Sequence, residues 1–355
     1  MSDKFDRGVH SAMIEAARLL RACLRLVVRQ AWGRRMVGRG ARELTEALRS
    51  QGVEPDVYGG SYFGLGRDPE DRMGRSGYET YTRASSNAPV SAYLLWRFFG
   101  EANFLDLGCA LGWVVECLRE LGLEARGVDY SAYAIDHAAP GAQGHVAQGD
   151  LLAGLDLPDA SIDCISILET LEHLPPQSVP GAIAELARIS RGWVFATIPS
   201  FGPNSGGPDG WLEGKVKPER LAYYEGLGPE YDGPVAHQDL FTDIDGLPVE
   251  GHLTIASFGW WERRFAEAGF ERREAMERRI MVQVERFGLA GAWNVYVLAK
   301  AGVVLPDQGL PGPYAIAALE RRWGLEPVKR PASGEDGGSR PPVSAVAEET
   351  TDGTG

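Results

Sequence analysis

Residues 104–113 constrain the fold more than any other part of this 355-residue sequence. The apolar run Phe-Leu-Asp-Leu leads into the small residues Gly108, Ala110 and Gly112, and a helix-like segment follows. A second strand-like run ends at Asp129. Glycines let the backbone approach a ligand, and an acid at the end of the next strand accepts both ribose hydroxyls of a nucleotide. The pattern therefore predicts a nucleotide-type pocket.

The spacing of the small residues separates two kinds of nucleotide site. A dinucleotide fingerprint requires Gly-x-Gly-x-x-Gly, whose third glycine allows close packing of helix and strand beside a pyrophosphate. Counted from Gly108, the second position is Ala110 and the third is Trp113. Because two of the three glycines are missing, an NAD-dependent oxidoreductase is disfavoured.

The order Asp106-x-Gly108-x-Ala110-x-Gly112 resembles the first motif of class I S-adenosylmethionine-dependent methyltransferases, with alanine at the middle glycine. The resemblance implies an α/β fold, a doubly wound Rossmann-like sheet of seven strands over residues 101–301, and S-adenosylmethionine as cofactor. In that family the acid matching Asp129 binds the ribose, and the acid matching Asp150 meets the adenine amino group. The residues expected to bind the cofactor are Asp106, Gly108, Ala110, Gly112, Asp129, Tyr130, Asp150, Leu151 and Glu169.

Apolar runs predict the remaining strands of this sheet. The third, fourth and fifth strands are expected at residues 145–149, 161–168 and 193–198. The sixth and seventh strands, with their connecting helix, are expected from residues 252–257, a helix through Glu262 and Phe265, residues 268–270 and residues 293–298.

The segment after the fourth strand reads Glu169-Thr-Leu-Glu172-His173. We expect no metal here, with Glu169 facing the cofactor while Glu172 and His173 fix the loop by hydrogen bonds. In the alternative, the segment resembles ubiquinone-pathway O-methyltransferases, in which the same pattern holds a divalent cation near the substrate. Two carboxylates and one imidazole suit Mg²⁺ or Mn²⁺.

Methyl transfer to a hydroxyl group benefits from a general base, and histidine titrates closest to neutral pH. His173 is the best placed candidate because it leaves the fourth strand at the mouth of the cofactor pocket. His252 and His237 are the other candidates, and His252 has the alternative role of bracing a substrate loop.

The regions outside the sheet differ in composition. Residues 1–55 form a basic extension in which residues 1–50 carry 11 Lys/Arg against 5 Asp/Glu. A helix is expected at residues 11–30, either contacting anionic lipid or an acidic partner, or docked on the acidic core by its apolar face. The other expected regions are a covering segment at 56–100 with Tyr78, Tyr81 and Arg83, an acidic aromatic substrate lid at 201–251, a helix at 302–326 and a disordered tail at 327–355.

The net charge of −13 argues against nucleic acid as a partner, since phosphate binding requires a clustered basic surface. Neither a membrane span nor a signal peptide is evident, and four scattered cysteines suit a cytoplasmic enzyme with reduced thiols. We expect methyl transfer to a small polar acceptor, most plausibly a hydroxyl of a saccharide or secondary metabolite. The alternative is a catalytically silent binding protein or partner subunit, and the oligomeric state is left open.

Overall fold

The computed structural model describes residues 58–60, 62–63, 81–201, 223, 226–228, 230–236, 251–289, 294–304, 310–325 and 327. Several expectations lie outside these residues. They are the basic helix at 11–30, Tyr78, most of the lid at 201–251, His237 and the tail beyond residue 327.

Strands and helices alternate through the central part of the chain. The strands are β1 Phe104–Leu107, β2 Ala125–Asp129, β3 Val146–Gln148, β4 Ile162–Leu168, β5 Ser190–Thr197, β6 Ser200–Phe201, β7 Ala256–Ser257, β8 Phe270–Arg272 and β9 Val295–Lys300. The helices are α1 Ala88–Phe99, α2 Trp113–Glu120, α3 Ala132–Asp136, α4 Val179–Ile189, α5 Phe258–Glu267, α6 Glu274–Arg286 and α7 Pro313–Trp323. A 3₁₀ turn covers Leu171–His173.

Seven of these strands form one sheet in the order β3-β2-β1-β4-β5-β9-β8. The strands from β3 to β5 are parallel, whereas β9 runs antiparallel to both β5 and β8. The central strands β1 and β4 are almost entirely buried because helices cover both sides of the sheet. The prediction of a doubly wound seven-stranded sheet is confirmed.

Two separate apolar cores fill the layers on either side of the sheet. One core contains residues of α1, α2, α6 and α7, including Tyr93, Leu118 and Leu319. The other contains residues of α4 and α5, including Leu186 and Trp261. Full burial of one such large side chain stabilises the fold by roughly 1.5–3 kcal/mol. Helix α7 lies within residues 302–326 and packs against the first core through Leu319.

The expected sixth strand at residues 252–257 is the main departure from the sequence prediction. Only Ala256–Ser257 is a strand, and it pairs with Ser200–Phe201 in a separate two-stranded sheet. Before it, the amides of Leu253 and Thr254 donate to the carbonyl of Glu172 at 2.8 and 2.9 Å, so this backbone is bonded to a turn. The sixth strand of the main sheet is Phe270–Arg272 instead, and α6 connects it to the seventh.

Two observations bear on the cellular expectations. The described cysteines Cys109, Cys117 and Cys164 are free and buried, in agreement with reduced thiols. Among the described residues, no helix has both the length and the apolar character needed to cross a bilayer.

Candidate cofactor and acceptor site

The turn after β1 has a backbone shape that restricts its residues. Gly108 and Gly112 have φ values of +72° and +75°, in the left-handed region that favours glycine. A Cβ atom on Gly108 would lie 2.2 Å from Oγ1 of Thr170, and one on Gly112 would lie 2.7 Å from Cβ of Ala142. Both positions therefore require glycine for space as well as for conformation.

Ala110 occupies the same left-handed region, with φ of +48°. This explains why the family pattern has glycine here, since an L-residue in this conformation costs about 1–2 kcal/mol. Alanine retains the turn because its amide donates to Oδ2 of Asp129 at 2.7 Å. Alanine thus replaces the middle glycine of the motif, while the backbone keeps the left-handed conformation.

Asp129 closes the turn from the end of β2. Its Oδ2 accepts from the amide of Ala110, and its Oδ1 accepts from the amide of Ser131 at 2.8 Å. Burial raises the pKa of Asp129, and these amide hydrogen bonds oppose the shift. Each carboxylate oxygen has a second lone pair, so a partly exposed Asp129 can still accept from two ribose hydroxyls.

Asp106 lies beneath the turn and is only 4% exposed. Its Oδ1 accepts a hydrogen bond from the hydroxyl of Ser166 on β4 at 2.6 Å. Burial raises the pKa of Asp106 to about 7, with the nearby Asp129 carboxylate adding to the shift and Ser166 opposing it. Asp106 is thus part of the floor that supports the turn.

The predicted adenine-binding residues follow β3 at the edge of the parallel strands. Oδ1 of Asp150 accepts from the amide of Leu152 at 2.8 Å, which shapes the turn. Leu151 packs partly against the core, and the side-chain amide of Gln148 donates to the carbonyl of Tyr130. The structure therefore places Tyr130, Asp150 and Leu151 at the ends of two adjacent strands.

An aromatic flap, defined here as residues 58–60 with Tyr62 and Phe63, lies next to Asp129. The hydroxyl of Ser131 donates to the carbonyl of Tyr58 at 2.6 Å, and Phe63 stacks on Tyr133 at a ring distance of 6.3 Å. Burial, followed by the carboxylates of Asp129 and Glu172, raises the pKa of Tyr58. Tyr58 therefore lies close to both Asp129 and Glu172.

Tyr81 and Arg83, both expected in the covering segment, have different surroundings. Tyr81 contacts Phe63 of the aromatic flap, and its amide donates to the carbonyl of Phe63 at 2.8 Å. Arg83 forms a two-pronged pair with Glu120 of α2, at 2.5 and 2.8 Å. The guanidinium of Arg83 thus joins the flanking helix to the segment before α1.

A polar cluster formed by Glu172, His173 and His252 lies beside the aromatic flap. One ligand atom from each residue lies within 4.8 Å of the others. Nε2 of His252 is 3.8 Å from Oε1 of Glu172, and the two imidazole rings meet edge to face at 5.1 Å. The Tyr58 ring is 5.8 Å from the His173 ring, which places the cluster next to the cofactor residues.

Burial determines the protonation state of His173 in this cluster. Glu172 is fully buried and His252 is 8% exposed. Burial lowers the pKa of His173 to about 4, against an opposing effect of the backbone carbonyls of Gly251 and Glu169. His173 is therefore neutral at physiological pH and has a lone pair with which to accept a proton or bind a ligand.

Glu169 does not join the polar cluster, although it stands near His173 in sequence. It has φ of +50°, and its amide donates to the carbonyl of Thr197 on β5 at 2.9 Å. The partnership of Glu172 with His252 was not expected from sequence, because about eighty residues separate them. No local sequence pattern indicates that a glutamate and a histidine so far apart along the chain will be in contact.

A parallel sheet with one reversed strand, a glycine turn after β1 and an acid ending β2 defines a nucleotide-cofactor-binding protein of the Rossmann-like class. A family model described as "Methyltransferase domain" matches residues 81–275, more than half of the chain. The chain therefore belongs to this methyltransferase family, and within it to the class I S-adenosylmethionine-dependent type.

Individual relatives are more distant. A probable methyltransferase, ltbC, of Aspergillus luteorubrus is 27% identical over 36% of this chain and 50% of its own length. A ubiquinone biosynthesis O-methyltransferase of Albidiferax ferrireducens is 30% identical over 28% of this chain and 42% of its own length. The chain thus spans about half the length of these curated relatives.

Among solved structures, the chain is similar to magnesium protoporphyrin IX methyltransferase from Synechocystis PCC 6803, solved with bound S-adenosylhomocysteine. The two are 15% identical, with 62% of this chain and 83% of the other covered at a TM-score of 0.38.

Proposed function

We propose that this protein transfers the methyl group of S-adenosylmethionine to a hydroxyl group of a small polar acceptor. The observation that carries the proposal is Asp129, which accepts from the amides of Ala110 and Ser131 and retains a further lone pair on each oxygen that a ribose hydroxyl could use. Family membership supports the same donor. The name of one relative, an O-methyltransferase, supports oxygen as the atom that is methylated.

The cofactor is assigned to the carboxyl ends of the parallel strands. We assign the ribose to Asp129 and the adenine to the edge formed by Tyr130, Asp150 and Leu151. The backbone from Gly108 to Gly112 approaches the ligand, supported by Asp106 below. Glu169, at the end of β4, faces the same pocket from the other side.

The acceptor is assigned to the space between the aromatic flap and the polar cluster. Tyr58, a residue of the flap, connects the cofactor side with the polar cluster. Its carbonyl accepts a hydrogen bond from the hydroxyl of Ser131, and its ring lies against His173. Aromatic rings beside imidazoles and a carboxylate suit a ligand with hydroxyl groups and an apolar face. A saccharide or a hydroxylated secondary metabolite has this character, and the acidic aromatic sequence at 201–251 agrees with it.

The protein's contribution to the reaction is mainly positional. The sulfonium of the cofactor supplies an electrophilic methyl group. The walls of the pocket align the acceptor oxygen with the S–CH₃ bond and exclude water, which lowers the barrier by on the order of 7 kcal/mol or more. His173 and His252 are the groups placed to receive the hydroxyl proton, a contribution of roughly 10²–10⁴-fold.

A catalytically silent member that only binds the cofactor is the second candidate. It would retain the turn and Asp129 but would not need a buried carboxylate next to two imidazoles. The presence of Glu172, His173 and His252 beside the cofactor residues favours the enzyme.

The first test is calorimetric titration of the purified full chain with S-adenosylhomocysteine. We expect micromolar binding by the wild type and binding weaker by roughly 2–4 kcal/mol for Asp129→Ala, because stranded ribose hydroxyls lose their acceptor. Asp129→Asn retains the side-chain shape and guards against a folding defect, and exposed Asp156→Asn is the matched control.

A transfer assay with labelled S-adenosylmethionine and a panel of sugars and hydroxylated metabolites then tests the acceptor. In the calorimetric titration, an unchanged affinity for S-adenosylhomocysteine in both Asp129 variants would refute the assigned cofactor pocket. Cofactor binding with no transfer to any hydroxylated acceptor would favour the silent binding protein.

A further inference from the structure

We infer that Glu172, His173 and His252 form a binding site for a borderline divalent cation of the Zn²⁺ or Co²⁺ type, not for Mg²⁺. The three ligand atoms already lie within 4.8 Å of one another. Oε1 of Glu172 and Nε2 of His252 are 3.8 Å apart, near the separation of about 3.4 Å between two ligands of a tetrahedral zinc. A small side-chain movement completes the coordination.

The donor atoms decide the class of ion. Sequence pattern alone points to Glu169, Glu172 and His173, which are two carboxylates and one imidazole. The structure substitutes His252 for Glu169, so the set becomes two imidazoles and one carboxylate. Mg²⁺ prefers oxygen ligands, whereas imidazole suits Zn²⁺ and its neighbours. A His₂Glu set with an open fourth position is the ligand arrangement of catalytic zinc.

The backbone holds the three side chains in place before any ion arrives. The carbonyl of Glu172 accepts from the amides of Leu253 and Thr254, which fixes His252 beside Glu172. The hydroxyl of Thr254 donates to the carbonyl of Leu174 at 2.6 Å, so both sides of the turn are tied to the same segment. Such preorganisation lowers the entropic cost of assembling the ligands.

The side chains also have the environment of a ligand set. Nδ1 of His173 is enclosed and makes no hydrogen bond among the described residues. The carbonyls of Gly251 and Glu169 face the same imidazole, as second-sphere carbonyls do for metal-bound histidines. A cation here would neutralise the fully buried carboxylate of Glu172.

The cluster borders the aromatic flap, where the rings of Tyr58 and Tyr62 contact His173. This is the acceptor side under the proposed function, and a cation held there would supply Lewis-acid polarisation of an acceptor hydroxyl. Only this role rests on the proposed function. The cation site itself is independent of methyl transfer and is measurable without cofactor or acceptor.

The experiment uses the full chain without a purification tag, stripped with EDTA. Calorimetric titrations with Zn²⁺ and with Mg²⁺ are run in parallel, and the visible absorption of the Co²⁺ form reports imidazole ligands. We expect one tight Zn²⁺ site, no measurable Mg²⁺ site, and binding at least 100-fold weaker in His252→Gln and in Glu172→Gln. His137→Gln, on a histidine stacked on Tyr133 outside the cluster, is the matched control and should bind as the wild type.

Several outcomes would overturn the inference. Zn²⁺ binding that survives in His252→Gln and His173→Gln would place the metal elsewhere. Mg²⁺ binding that is lost in Glu169→Gln would show that two carboxylates and one imidazole are the ligands instead. Thermal unfolding identifies any variant that fails to fold, and His252→Gln still decides the question if Glu172→Gln does not fold. Titration with S-adenosylhomocysteine separates failure of this site from failure of the cofactor pocket, because the two ligands are assigned to different residues.

Discussion

At the scale of single residues, Ala110 shows how a motif tolerates a departure. Its φ of +48° is shared by Ala160, which lies in an exposed turn far from the cofactor residues in sequence. Both alanines carry the cost of a left-handed backbone. A comparison of the two positions therefore separates the effect of the left-handed conformation from any effect specific to the motif.

Ala110→Gly should raise the free energy of unfolding by about 0.5–1 kcal/mol, because relief of the left-handed conformation exceeds the extra entropy of glycine in the unfolded chain. Urea unfolding measures the change. Ala160→Gly should give a gain of similar size. A loss of stability in Ala110→Gly alone would mean that the methyl group makes a packing contact that outweighs the strain.

Asp106 predicts a pH dependence of stability. Its folded pKa of about 7 lies above the ordinary value of 3.8, so the folded state binds the proton more tightly than the unfolded state. The associated stability is complete below the ordinary pKa and is lost as the pH rises through about 7. Wild type should therefore lose roughly 3 kcal/mol relative to Asp106→Asn between pH 5 and pH 8.

Urea unfolding of both proteins at the two pH values measures this difference. Asp156→Asn, at an exposed site, should show no comparable change relative to wild type. Parallel pH profiles for wild type and Asp106→Asn would show that Asp106 is ionised with an ordinary pKa in the folded protein.

At this scale the sequence predicts the local geometry best where the residues are neighbours along the chain. Gly108, Gly112 and Asp129 are recognisable because a strand, a turn and the next strand fix their relation. The pairing of Glu172 with His252 was beyond reach, since only the folded chain brings these residues together. The ion pair of Arg83 with Glu120 of α2 is likewise not indicated by any local sequence pattern.

At the scale of elements, the hydroxyl of Ser131 has two roles. It caps α3 by accepting from the amide of Ala134 at 3.0 Å, and it donates to the carbonyl of Tyr58 in the aromatic flap. The flap is thus fastened to the helix that begins just after the ribose acid. Under the proposed function, this one side chain therefore affects both cofactor binding and the position of the flap.

Ser131→Ala should lower the free energy of unfolding by about 1 kcal/mol through loss of the cap. It should also weaken S-adenosylhomocysteine binding about 3–10-fold, as expected from one lost hydrogen bond in the flap. Calorimetry and thermal unfolding measure the two effects. Ser161→Ala, which removes an exposed hydroxyl bonded to Pro158, is the control. Full affinity in Ser131→Ala would show that the flap does not cover the cofactor.

Element prediction failed at residues 252–257 for a physical reason. The run His-Leu-Thr-Ile-Ala-Ser has the apolar content of a strand, and the side chains are indeed buried. The amides of Leu253 and Thr254, however, donate to the carbonyl of Glu172, and the amide of Ser257 donates to the carbonyl of Gly233, so these amides do not pair with a strand of the main sheet. Apolar content reports burial, whereas membership in a sheet depends on which distant backbone is available for pairing.

At the scale of the whole molecule, α7 holds the first core closed. Leu319 is 5% exposed within that core, and the next residue, Glu320, binds Arg286 of α6 at 2.6 and 2.9 Å. The same carboxylate accepts from the hydroxyl of Tyr93 on α1. The helix near the end of the described chain is therefore part of the domain.

Leu319→Ala should destabilise the protein by about 2–5 kcal/mol, because it leaves a cavity beneath α7. Thermal unfolding should show a melting temperature several degrees lower. Tyr314→Ala on the same helix is the control, since that side chain is 92% exposed and should leave the melting temperature nearly unchanged. Equal behaviour of the two variants would mean that α7 is detached in solution.

The short strands β6 and β7 have a consequence for how this protein can diversify. They pair Ser200 with Ala256 and Phe201 with Ser257, and Ser200 is also bonded to Asn294, just before β9, and to Tyr296 of β9. Both ends of the long intervening segment are thereby joined at one anchored point. None of the described residues between those ends belongs to the seven-stranded sheet. Under the proposed role of residues 201–251 as a substrate lid, these two strands mark a cassette boundary, at which acceptor range could be exchanged between relatives while the donor pocket is kept.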